Sequence, residues 1–217
     1  MMLRQILDRY RVTWVISLVA LLAWACPPLT QAMELDYGLV VDGQWWRIWT
    51  GHLTHYDGGH LAWDLLMFSV LAAACEREHP RWFAIGVILL MAGVSAVIAI
   101  GCPDVRVYRG LSGLDTGLFV WLVADQCHRC WKDRDHLAAA IWLATVGGLI
   151  GKLIYEATTG QTLFVDSSNF VPLVQSHLAG ALFGAVCALL GYCSPMRKER
   201  MNDPLSRCNL NSLHRVT

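Results

Sequence analysis

The residues of this chain that could do chemistry fall into four groups. The first is His52, His55, His60 and Asp64. His60 and Asp64 are four apart and share one face of a helix. Imidazoles there can donate hydrogen bonds to a developing oxyanion, or bind a metal together with Asp64. His52 fits an interfacial histidine facing headgroups and water. His60 is deeper and paired, and a polar group in lipid is costly enough to imply a role. The second group is Gly110-Leu111-Ser112-Gly113. Glycines on both sides of a serine allow close backbone approach. A serine N–H at a helix start has no intrahelical partner and can serve an oxyanion.

The third group is His177, Gly180 and Gly184, which lie on one helix stripe. Gly113 and Gly117 form a similar small-residue stripe, so two membrane helices can approach closely there and bring His177 near Ser112. A neutral imidazole so placed takes the serine proton as general base and returns it to a leaving amine. The alternative is a histidine satisfied by a helix–helix hydrogen bond. The fourth group is Lys152, Tyr155 and Glu156. Lys152 and Glu156 are four apart, in the less favourable order for a helical pair. Two readings fit: a snorkelling ion pair with an aromatic-belt tyrosine, or a grip on substrate.

The elements that must position these groups are membrane helices. Of 217 residues, 55% are hydrophobic and only 16% charged, against about 25% charged in soluble domains. Mean hydropathy is +0.42. That excludes intrinsic disorder. Seventeen basic residues balance 17 acidic ones, which argues against nucleic acid as a partner. The expected class is an all-α polytopic membrane protein. Six apolar runs approach the roughly 20 residues of a span: Val12–Leu29, His60–Cys75 (short), Trp82–Gly101, Leu111–Cys127, His136–Tyr155 and Leu173–Cys193. This divides the chain into an N-terminal segment 1–11, a six-helix membrane domain 12–193 and a polar tail 194–217.

With the N-terminus inside, thirteen Lys and Arg residues fall on the inner side. Four, Arg47, Arg106, Arg109 and Lys152, fall outside. This bias places both termini in the cytoplasm and the four groups toward the outer surface. Arg4, Arg9 and Arg11 before an apolar run resemble a signal peptide, but the run is long and Trp24 suits no cleavage site. Among eight cysteines, Cys26 and Cys102 lie on the outer side, and spacing alone does not pair them. Cys127 and Cys130 form a lone CxxC, which reads as unpaired thiols at a helix end. No metal or other cofactor is expected.

Together these residues resemble the rhomboid intramembrane serine proteases. The resemblance runs from about Trp45 to Gly184. It rests on Trp46-Arg47-Ile48-Trp49-Thr50, on His55, His60 and Asp64, on the GxSG at Gly110–Gly113 and on the HxxGxxxG at His177–Gly184. The GxSG is distinct from the GxSxG elbow of α/β-hydrolases, because Leu114 stands in place of the second glycine. The resemblance implies a six-helix bundle with a Ser112–His177 dyad and no third acid. It also implies an oxyanion site from the Ser112 N–H, helped by His60. The chain departs from the family pattern at Asp64, where Asn is usual, and at Thr116, where a tyrosine often packs on the histidine. A carboxylate accepts and does not donate, so Asp64 is expected to orient His60. The segment Tyr108–Asp115 and the stretch from Lys152 to Gly160 resemble the rhombosortases. That resemblance implies a bacterial inner-membrane enzyme and transmembrane protein substrates carrying a Gly-Gly, an apolar helix and a basic tail. Two other classes compete: a non-catalytic rhomboid-like protein that binds or escorts membrane helices, and a metal or proton transporter using the first histidine group.

Overall fold

The computed structural model describes residues 7–162 and 173–193. The sequence-defined tail 194–217 and residues 1–6 of the N-terminal segment lie outside the described residues. The chain runs α1 (Arg11–Ala25), α2 (Pro27–Met33), β1 (Leu35–Asp36), α3 (Tyr37–Val41), α4 (Arg47–Thr50), a 3-10 turn (Gly51–Leu53), α5 (Gly58–Glu78), α6 (Phe83–Gly101), β2 (Val107–Tyr108), α7 (Ser112–Asp133), α8 (His136–Thr159) and α9 (Val174–Cys193).

The architecture is an all-α polytopic bundle. Helices α5, α6 and α8, and α9 as far as Gly191, have the length and hydropathy to cross a membrane. The expected first span, Val12–Leu29, is not one helix. It breaks after Ala25 and turns by 119° into α2. Pro27 and Pro28 explain the break: Cys26 precedes a proline and adopts extended backbone, and Pro27 opens the new helix. The expected fourth span also differs. Helix α7 continues past Cys127 to Asp133 and falls outside the set apolar enough to span on composition. It carries Asp115 and Asp125 because it is the central helix, packed against α5, α6, α8 and α9.

Helices α7 and α9 meet backbone to backbone. A Cβ on Gly180 would run into the Gly113 carbonyl, and one on Gly184 into the Gly117 carbonyl. Only glycine permits that approach. The main core lies among α1, α5, α6, α7 and α9, around Phe68, Phe83, Leu90, Leu118 and Trp121. At one end, buried Glu76 of α5 accepts from Val12 N, Thr13 N and the Thr13 hydroxyl, fixing the start of α1. Also at that end, His79 pairs with Asp125 of α7.

The opposite end is built by the first loop. Strand β1 pairs antiparallel with β2, Leu35 opposite Tyr108. Buried Arg47 donates to the carbonyls of Gln31 (2.9 Å) and Glu34 (2.7 Å) and to the Gln44 side chain. Arg109 pairs with Glu34 and lies over the Tyr56 ring. These contacts fix the strand that leads into Ser112. Cys26, Cys102, Cys127 and Cys130 are free thiols.

Candidate active site

Ser112 is the first residue of α7. The turn before it depends on Gly110, whose φ of +118° suits glycine. A Cβ there would lie 2.9 Å from His60 Nε2 and 3.3 Å from Asp64 Oδ2. Asp64 is buried at 3% exposure; its Oδ2 accepts from the Leu111 N–H at 2.8 Å and lies 3.2 Å from His60 Nε2 and 3.3 Å from His55 Nε2. A carboxylate oxygen only accepts, so the Leu111 N–H is the donor in that hydrogen bond and the two imidazoles flank the carboxylate as close polar neighbours. Asp64 therefore binds α5 to the residue before the serine. The Leu111 N–H is thereby engaged, while the Ser112 N–H, at the first helical position, has no intrahelical acceptor by geometry.

His52 differs from its expected interfacial place. It is fully buried, with Nε2 3.0 Å from both the Met91 carbonyl and Ser95 Oγ. Ser95 donates its own proton to the Ile48 carbonyl, so His52 donates from Nε2. Its ring meets Tyr108 edge to face. Burial pushes its pKa down to about 4, against the hydrogen bonds to the Met91 and Gly110 backbone. It is a neutral support beneath the loop.

Ser112 and His177 line one cavity of about 570 Å³, which extends between α5, α7 and α8 past Trp63, Met67, Phe119 and Leu149. His60, Asp64, Lys152 and Glu156 line it as well, and Tyr155, exposed on α8, does not. The four groups of the sequence thus converge on one site, apart from His52 and Tyr155 and with His55 adjoining it only through Asp64. Thr116 turns its hydroxyl back to the Ser112 carbonyl at 3.0 Å. His177 is buried, and its Nδ1 is 2.9 Å from Glu156 Oε2. The other oxygen, Oε1, is 2.6 Å from Lys152 Nζ. The resemblance implies a dyad with no third acid; here a carboxylate from α8 stands against the imidazole ring. With Nδ1 so engaged, Nε2 is the nitrogen left to exchange a proton with a neighbouring hydroxyl.

Two residues of the site escaped the sequence reading. Tyr108 is buried beside Ser112 and Ser176, with its hydroxyl in hydrogen-bonding reach of both and 3.3 Å from the Gly110 carbonyl. Burial raises its pKa, so it stays a neutral phenol. Its signal is long-range strand pairing, which local spacing does not carry. Asp115, one turn after Ser112, is buried at the cavity wall, and its Oδ1 meets no hydrogen-bond partner among the described residues. Its i+3 spacing from Ser112 would have placed it on the same helix face.

A family model described as Rhomboid domain matches residues 42–193, most of the chain. The chain is also similar to the Rhomboid protease AarA of Providencia stuartii, with 32% identity over 62 residues. That stretch is 29% of this chain and 22% of the relative, so well under two thirds of the relative's length is covered.

Proposed function

Because the chain belongs to the rhomboid family, we propose that it is an intramembrane serine endopeptidase with Ser112 as nucleophile and His177 as general base. The observation that carries this reading is the shared cavity of Ser112 and His177, with the Gly113–Gly180 contact holding their helices together. Ser112 Oγ attacks the substrate carbonyl while His177 Nε2 takes its proton. The oxyanion that forms meets the Ser112 N–H, with His60 at the cavity wall. The proton passes to the leaving amine, the acyl-enzyme forms, and water activated by His177 releases the product acid.

The substrates in this reading are transmembrane proteins reached through the bilayer, and the chain itself is a multi-pass membrane protein. The finer assignment is a C-terminal Gly-Gly followed by an apolar helix and a basic tail. The resemblance of Tyr108–Asp115 to the rhombosortases supports it, as does the ease with which a glycine pair unwinds a substrate helix. The inner membrane of a bacterium, cytoplasmic termini and an outward-facing site follow from the same resemblance and the bias of basic residues. The test is fluorophosphonate labelling of the purified protein in detergent. Wild type should label, and Ser112→Ala and His177→Ala should not. A folded wild type that stays unlabelled would instead support a helix-binding protein, the role that Asp64 in place of Asn favours.

A further inference from the structure

Helix α8 has 24 residues, and Glu156 is the one that is buried among them, at 2% exposure. A surface helix of a bundle normally buries an apolar stripe. Here the buried residue is a carboxylate, and both of its oxygens are used. Oε2 faces His177 Nδ1 and Oε1 faces Lys152 Nζ, at 2.9 and 2.6 Å. No tyrosine follows Ser112 by one turn to pack on the imidazole, because Thr116 stands there and bonds back to its own helix.

We propose that Glu156 is the positioning residue of His177, a third member contributed by α8, with Lys152 fixing its second oxygen. This rests on the Ser112–His177 reading. The carboxylate accepts from Nδ1–H, which sets the tautomer, aims Nε2 at Ser112 and stabilises the imidazolium formed during attack. Lys152 holds the second oxygen and prevents the carboxylate from rotating away. The site is complete only while α8 is seated, since the acid and the base belong to different helices. Other titratable or charged groups lining the same cavity are Asp115 on α7, Tyr108 on β2, the His60–Asp64 pair on α5, and Tyr56 and Arg109 in the loops. Helix α6 contributes none.

The experiment measures the fluorophosphonate labelling rate against pH for the full chain in detergent, with Ser112→Ala and His177→Ala as controls. Glu156→Gln should lower the rate at pH 7 by about 100-fold or more, since an amide can hold the wrong tautomer. Its acid limb should move to lower pH, because the imidazolium loses its anion. Glu156→Asp should recover part of the rate. Lys152→Met should move the acid limb the opposite way, upward, because a cation near the imidazolium is gone. A thermal melt accompanies each variant. Wild-type rate and profile in Glu156→Gln, with both controls silent, would overturn this inference and leave the serine protease reading intact. Labelling that survives in Ser112→Ala would overturn that reading instead. If Glu156→Gln fails to fold, an unmoved acid limb in Lys152→Met overturns the inference.

Discussion

The Gly113 carbonyl oxygen occupies the space that a Cβ on Gly180 would need. The contact is backbone against backbone, so nothing flexible can yield. Gly180→Ala must part α9 from α7 and carry His177 away from Ser112. Overpacking of this kind costs about 1–3 kcal/mol. We expect a lower melting temperature and a loss of labelling at least as large as the loss of folded protein. Gly101→Ala is the control, since open space surrounds its Cβ position. Equal behaviour of the two variants would sink the claim.

Asp64 offers a second prediction. Asp64→Ala leaves the buried Leu111 N–H without its acceptor and removes the carboxylate that stands 3.2–3.3 Å from His60 and His55. An unsatisfied buried donor costs about 1–3 kcal/mol, so the variant should be strongly destabilised. Asp64→Asn retains one carbonyl oxygen for the Leu111 N–H. It should melt between Asp64→Ala and wild type, and melting curves of the three proteins decide this.

The turn at Gly110 yields a third. Any side chain there meets both a left-handed φ and His60 at 2.9 Å. Gly110→Ala should cost about 1–3 kcal/mol in backbone strain. It should also reduce the labelling rate more than tenfold, because Ser112 is two residues on. Unchanged labelling would show that the turn tolerates a Cβ and that the serine is placed by α7 alone.

A fourth concerns pH. His52 titrates at about 4 in the fold and near 6.5 in an unfolded chain. Above pH 6.5 both states are neutral. As pH falls from 6.5 toward 4, the unfolded chain takes up a proton that the folded site refuses. Stability then declines, by about 3 kcal/mol for this group in total, and this contribution is flat below pH 4. His52→Gln, which cannot titrate, should show a shallower fall of melting temperature over that window. Parallel curves would remove His52 as the cause.

The sequence shows much of this arrangement, for identifiable reasons. Helices α6 and α9 begin and end within a residue of their apolar runs, because hydropathy and helix stop together there. In α7 they do not: hydropathy fails at Cys127, while the helix runs on to Asp133. The bend at Cys26 was written in Pro27-Pro28, yet the apolar average across 12–29 conceals it. Ser112 and His177 are legible because glycine spacing reports close helix approach. The place of Glu156 is not, because its partner is 21 residues away on another helix. His52 shows the same limit, since residue type does not distinguish an interfacial imidazole from a buried one.

The polarity of α7 has a consequence for how the helix is held in lipid. Two aspartates lie among its buried positions, Asp115 and Asp125. A carboxylate near the centre of a lone helix costs about 2.5–3.5 kcal/mol on insertion scales, a figure that bears on Asp125, since Asp115 lies in the first turn. Such a segment is less suited to lipid on its own than α6 or α8. In the fold His79, just past the end of α5, receives Asp125, and α9 closes over the glycine stripe. The cost of these aspartates is thus offset by neighbouring helices rather than within α7. The helix that begins with the serine is therefore the one that depends most on its neighbours.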